Sequence, residues 1–236
     1  MPPRALKPVG VVLVDKPPGP SSFALVAELR RRTGARTGHA GTLDPFATGL
    51  LVQLSGGATR LAPCFVGLDK RYVTDVDLTS QTSTGDPEGE TVEEHEPPSR
   101  GELERLLAGL RGEVELPIPA ASAVKIGGER AYRLARRGVE VAMPTRRSQV
   151  YALDVVAYRE SIATLDLRVS SGTYVRALAT ALGGHCRTLR RLEIGPYSVD
   201  DVGPERMLPP TAAFDRLPAE ARARAPKDAL ARMGRG

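Results

Sequence analysis

Two cysteines and three histidines are all that 236 residues offer to a disulfide or a soft metal. Cys64 and Cys186 fall in no CxxC spacing, which excludes a disulfide framework and a cysteine zinc site and suits a reducing cytosol. Long apolar runs are missing as well. VGVVLV at 9–14 is cut short by Asp15-Lys16, too soon for a signal-peptide core, and no stretch approaches a membrane span. The expectation is a soluble, cytoplasmic chain. The sequence also lacks GxGxxG, a Walker loop, HExxH and GxSxG, so it shows no template for nucleotide, zinc or serine-hydrolase chemistry. Nothing in it requires a cofactor or a metal.

What is present is a globular composition, 41% hydrophobic and 26% charged, with a net charge of +5. Such a chain can bury an ordinary core, and its excess of positive charge favours an anionic partner. The charge is unevenly spread. Residues 125–147 carry Lys125, Arg130, Arg133, Arg136, Arg137, Arg146 and Arg147 against Glu129 and Glu140. Arg30, Arg31, Arg32 and Arg36 form a second cluster, while DPEGETVEEHE at 86–96 is acidic and should avoid a polyanion. Solvated helix faces and an exposed loop are the competing explanation. His95 lies in that acidic loop and reads as surface.

The periodicities predict α+β with a mixed, mainly antiparallel sheet. VGVVLV reads as a buried strand closed by the rigid DKPPGP turn. Ser21 or Ser22 should cap a helix running to about Arg32, with Gly34 as its stop. Residues 35–48 read as loop, and GLLVQLSG as the next strand. In 70–80, Tyr72, Thr74, Val76 and Leu78 share one face, with Asp75 and Asp77 opposite. Ser99 and Glu102 make a capping box ahead of Leu103, Leu106, Leu107 and Leu110. Strands are expected over 147–158 and 162–170, a helix from about Thr173 to Leu182, and a strand-like end at 189–199. Past residue 202 the pattern weakens.

One stretch holds a solitary carboxylate: GHAGTLDPFATGLL, residues 38–51. No second acid accompanies Asp44, which argues against a glycosidase-type pair. Gly38 and Gly41 permit positive φ or close approach of another chain. Pro45 holds Asp44 extended, and Thr42 and Thr48 can bond the backbone locally. On these residues alone, Asp44 is either the aspartate of an Asx-turn or a reactive carboxylate.

GHAGTLDPFATGLL closely resembles the catalytic motif of the TruB family of pseudouridine synthases. VDKPPGPSS (14–22), KRY (70–72), SAVKIGGERAYRLARRG (122–138), SGTYVRAL (171–178) and LRRLEIG (189–195) extend the resemblance in order, from about residue 9 to about residue 199. It implies the pseudouridine synthase fold, helices flanking a central sheet, and a catalytic domain over 1–202. It implies an enzyme that isomerises a uridine of the tRNA T-arm loop, at tRNA position 55, without cofactor. The bond from C1′ to N1 breaks, the base turns, and C1′ joins C5. A stacked uridine must be flipped out to be reached.

The resemblance assigns roles residue by residue. Asp44 would be the catalytic carboxylate, and Arg176 the arginine that pairs with it and keeps it charged. Tyr72 would stack on the flipped base, with Tyr174 and Leu189 lining the pocket. His39, between two glycines, resembles an exposed histidine that fills the gap left in the RNA stack. Lys16 belongs to a motif that mainly supports the active-site loop. Residues 117–147 match a basic thumb-like insertion, with Lys125, Arg130, Arg136, Arg137, Arg146 and Arg147 as phosphate contacts that set affinity and register. The implied partner is tRNA, through its T-arm stem-loop. A monomer is expected, with no membrane, guide RNA or obligate protein partner.

Two departures stand out. Only ALATALGGHCRT separates Arg176 from Leu189, shorter than the usual pattern, with His185 as a remnant of a longer segment. Residues 203–236 leave room for a short tail rather than a complete PUA-like domain. A tRNA-folding chaperone with secondary catalysis, a guide-dependent relative, and a synthase for another RNA are the alternatives.

Overall fold

Local chemistry sets most of the elements in the computed structural model, which describes residues 8–139, 141–203 and 207–229. The chain forms two units, residues 1–72 with 190–236 and residues 73–189.

The first unit opens with β1 (Gly10–Lys16), the expected apolar strand. α1 (Ser22–Thr33) starts where the Ser21 hydroxyl accepts from the Ala24 N–H and ends at Gly34 in the left-handed region. β2 (Thr37–His39) then lies inside the segment expected as loop. Three polar or small residues carry no strand period of their own. The backbone of β3 (Thr48–Ser55) supplies the pairing, with Thr37 opposite Ser55 and His39 opposite Gln53. β3 also pairs antiparallel with β1, from Gly10↔Ser55 to Lys16↔Gly49. α2 (Ala62–Val66) follows, and β4 (Lys70–Asp77) carries the chain into the second unit after Tyr72. The alternation expected of β4 is present: Lys70, Tyr72, Thr74 and Val76 are buried.

The second unit continues with the hairpin of β5 (Ser80–Thr82) and β6 (Thr91–Glu94). α3 (Arg100–Gly109) has the full Ser99–Glu102 capping box and buries Leu103 and Leu107, while Leu106 stays exposed. β7 (Gly112–Pro117) leads into the insertion, where β8 (Lys125–Ile126) and β9 (Glu129–Arg130) form a minimal hairpin before α4 (Ala131–Arg136). β10 (Thr145–Arg159) returns antiparallel to β7 and pairs antiparallel with β11 (Ile162–Val169). Ala163, Leu165, Leu167 and Val169 give β11 its buried face. α5 (Val175–Ala181) is followed at once by β12 (His185–Ile194), which starts at His185 rather than Leu189.

Back in the first unit, β12 runs parallel to β3 at Arg190↔Thr48 and Arg191↔Gly49, whereas the β1, β2 and β14 pairings are antiparallel. After the short β13 (Tyr197–Ser198), β14 (Met207–Leu208) adds to the free edge of β1. α6 (Pro210–Asp215) and α7 (Ala219–Arg222) follow. The segment expected as a tail therefore belongs to this unit's core. Ala213, Leu217, Ala221 and Ala229 pack with Val11, Leu13, Val52, Leu54, Phe65 and Tyr197. The architecture is α+β, with a mixed and mainly antiparallel sheet. Among the described residues no helix is long and apolar enough to cross a membrane.

Candidate active site

Asp44 is half-buried in a loop held from three directions within the first unit. From the end of β1, the Lys16 ammonium donates to the carbonyls of Pro17 (3.0 Å), Pro45 (2.9 Å) and Ala47 (2.6 Å). At the first residue of α1, the Ser22 hydroxyl donates to the Leu43 carbonyl (3.0 Å) and accepts from the Leu43 N–H (2.8 Å). From β12, the Arg191 guanidinium donates to the carbonyls of Leu50 (2.7 Å), Gly41 (3.1 Å) and Thr42 (3.4 Å). Gly19 adds a backbone N–H to Pro45 at 2.9 Å. Gly41 sits at φ +96°, which only glycine adopts without strain.

The carbonyls on both sides of Asp44 are thus fixed by side chains, and a loop of small residues becomes a rigid mount. Lys16 and Arg191 are 0% and 1% exposed, and each directs charged N–H groups onto backbone carbonyls of the loop. Burying a cation is costly unless it is well hydrogen-bonded, so these two residues define the loop's position. Lys16, expected among the substrate-binding groups, has its amine enclosed and turned onto the backbone. Ser22 and Arg191 had no assigned role in the sequence.

His39 ends β2 and is half-buried rather than exposed. Burial first, and the Arg191 charge second, hold its pKa below the usual histidine value. Its ring is neutral near pH 7, which suits stacking better than a phosphate contact. Its Nδ1 is buried without a hydrogen-bond partner among the described residues. Tyr72 is buried on the inward face of β4. Two residues before it, the buried Lys70 donates to the carbonyls of Val66 (2.7 Å) and Leu68.

In the second unit, Arg176 stands in the first turn of α5 and is 2% exposed. Its carboxylate partner within this unit is Asp86, with Nη1 to Oδ2 at 3.2 Å and the Asp86 side chain 6% exposed. Nη1 also donates to the Thr84 carbonyl (2.7 Å) and Nη2 to that of Ala121 (2.9 Å). Asp86 is itself fixed by the Thr84 hydroxyl (2.6 Å) and the Glu88 N–H (3.0 Å). The acidic stretch 86–96 therefore does not begin as exposed loop: its first acid is buried and neutralises an arginine. The Asp-Pro turn inside TSTGDPEGE was the available signal, the same dipeptide that flags Asp44.

Tyr174 is the half-buried N-cap residue of α5, and Leu189 is buried in β12. The basic residues of the insertion divide into groups. Arg137 forms a bidentate pair with Glu129 (2.7 and 2.9 Å), and Arg147 meets Glu115 at 3.3 Å. Arg130 donates to the Ala123 carbonyl, and Lys125 is exposed on β8. Arg146 is exposed but lies across the turn into α5: a Cβ on Gly172, at φ +83°, would collide with its guanidinium. The Arg136 side chain lies outside the described residues. Exposed ion pairs such as Arg137–Glu129 contribute little to stability.

A family model described as TruB family pseudouridylate synthase, N-terminal domain, matches residues 30–175. A tRNA pseudouridine synthase B of Leifsonia xyli subsp. xyli is 42% identical over 221 residues, covering 87% of this chain and 73% of the relative. Another, from Arthrobacter sp. (strain FB24), is 43% identical, covering 81% and 67%. Among solved structures, a chain of a Cbf5–Nop10–Gar1 complex superimposes with TM-score 0.62 at 26% identity, over 80% of this chain and 50% of that one. A chain of an H/ACA ribonucleoprotein bound to substrate RNA matches in fold, with TM-score 0.59 at 22% identity over 92% and 58%. This chain thus spans about half the length of those solved chains.

Proposed function

Since the chain belongs to the TruB family of pseudouridylate synthases, we propose that it acts on tRNA, converting the T-arm uridine at position 55 to pseudouridine with Asp44 as the catalytic carboxylate. The reaction is redox-neutral. The C1′–N1 bond breaks, C1′ bonds to C5, C5 releases its proton, and N1 gains one. A single well-held carboxylate can serve such a step, as nucleophile or as base. The observation that carries this reading is the mount: Lys16, Ser22 and Arg191 converge on the backbone around Asp44. Preorganisation of this kind is what a reacting group needs and a surface Asx-turn does not.

The remaining roles follow the same reading. The target uridine is flipped out, Tyr72 meets the base, and Tyr174 and Leu189 line its pocket. The neutral ring of His39 occupies the vacated stack. Arg176, oriented by Asp86, takes the role of the arginine that keeps the catalytic carboxylate charged. Lys125, Arg130, Arg136, Arg137, Arg146 and Arg147 meet phosphates of the T-arm. The substrate is free tRNA, with no guide RNA and no obligate protein partner, and the protein acts as a monomer in the cytoplasm. Incubating the purified chain with a [5-³H]uridine-labelled tRNA transcript tests this: tritium should be released without any added component. Release only when an RNA guide or accessory protein is supplied would favour the guide-dependent alternative.

A further inference from the structure

The basic cluster at residues 30–36 has no part in the site described above, yet its chemistry is not that of an ordinary solvated face. Glu28 is the only acid between Asp15 and Asp44, against four arginines. Arg30 and Arg31 project from the last turn of α1, and Arg36 lies just beyond its Gly34 cap. All three are exposed, and among the described residues their side chains make no hydrogen bond or ion pair. Four other arginines of this unit meet acids: Arg60 with Asp228 (3.8 Å), Arg71 with Glu193 (3.0 Å), Arg190 with Asp15 (2.7 Å) and Arg216 with Asp201 (2.8 Å).

Cations at a helix C-terminus are favoured by the dipole, but only weakly, and the effect fades beyond the last turn. It does not account for Arg36, nor for the mutual repulsion of so many like charges. The corner is also tied to the loop that bears Asp44. The Thr37 hydroxyl donates to the Val26 carbonyl (3.2 Å), fastening β2 against α1. Arg36 is three residues from His39 along a chain that is extended through β2, about 10 Å at strand rise. That places Arg36 immediately before the strand that leads into the mount.

We propose that Arg30, Arg31 and Arg36 form a second RNA contact, separate from the insertion, that grips the sugar–phosphate backbone flanking the target nucleotide. This rests on the RNA-modifying role proposed above and adds a binding surface to it. Three unneutralised guanidinium groups on a fixed helix–strand corner suit phosphates, which bind Arg bidentately and without regard to base.

The test compares the full chain with Arg30→Gln/Arg31→Gln/Arg36→Gln and with the corresponding triple Lys variant, using tRNA transcript at several salt concentrations. Each lost phosphate contact lowers the slope of log K against log salt by about 0.7–0.9. The Gln variant should lose about two in slope and bind roughly 10- to 100-fold more weakly at low salt, while keeping its rate at saturating tRNA. The Lys variant should recover the slope. An unchanged slope in the Gln variant overturns the proposal, whatever happens to affinity. Failure of the enzymatic reading shows differently: wild type would release no tritium, yet the slopes of wild type and the Gln variant would still differ.

Discussion

Replacing Asp86 by Asn removes one buried charge and little else. The new amide oxygen can keep the Thr84 hydroxyl and the Glu88 N–H, now at 2.6 and 3.0 Å from Oδ1. The amide nitrogen then faces Arg176 Nη1, across the 3.2 Å now spanned by the ion pair, donor against donor. Removing one partner of a buried pair costs about 3–5 kcal/mol, because the other charge stays buried. Arg176 keeps the Thr84 and Ala121 carbonyls at 2.7 and 2.9 Å, which softens the loss to about 2–4 kcal/mol. For a chain of this size that is a fall of roughly 4–16 °C in Tm. Arg176 should also shift, and misplacement on the ångström scale costs on the order of 100-fold in rate. Urea unfolding monitored by circular dichroism gives the first number, and tritium release at saturating tRNA gives the second. An Asp86→Asn protein within 1 kcal/mol of wild type and within twofold in rate would refute the view that this pair sets the arginine's position.

Lys16→Met should destabilise the protein by about 3 kcal/mol, since the Pro17, Pro45 and Ala47 carbonyls lose a charged donor together. It should slow pseudouridine formation while leaving the tRNA Kd near wild type, because the Lys16 amine is enclosed and bonded to the loop's carbonyls; parallel binding and turnover assays check this. His95 should make stability fall across neutral pH. Both its ring nitrogens meet carbonyls, Nδ1 at Glu96 (3.1 Å) and Nε2 at Gly183 (2.6 Å), an arrangement only the doubly protonated ring satisfies. The Glu96 bond first, then the Gly183 bond, and more weakly Glu93, hold its pKa above the ordinary value near 6.5. Its contribution is therefore complete below about pH 6.5 and disappears as pH rises through the raised folded value. Melting curves from pH 6 to 9 should flatten in His95→Gln.

Much of the fold was legible because its causes are local. Ser21 and Gly34 bracket α1, Ser99 and Glu102 start α3, and the alternation in β4 follows its burial. β2 was not legible, because its pairing is supplied by β3 and not by its own residues. Nor was the packing of the final segment, although Ala213, Leu217 and Ala221 recur at a helical spacing that could have marked a buried face. The site divides in the same way. Asp44, Tyr72, Arg176 and His39 were marked by motifs. The braces around them depend on contacts far apart in sequence: Arg191 reaches Gly41, Lys16 reaches Ala47, and Asp86 meets Arg176. Arg191 did carry a signal. It shares the inward phase of β12 with Leu189, where a charged residue must find buried partners.

The proposed role of the mount is to present one carboxylate to a tRNA uridine. Its most direct test is tritium release from [5-³H]uridine-labelled tRNA transcript by Asp44→Asn, with Kd for the same transcript measured alongside. No detectable release is expected, with binding within a few-fold of wild type. Release near the wild-type rate would contradict it.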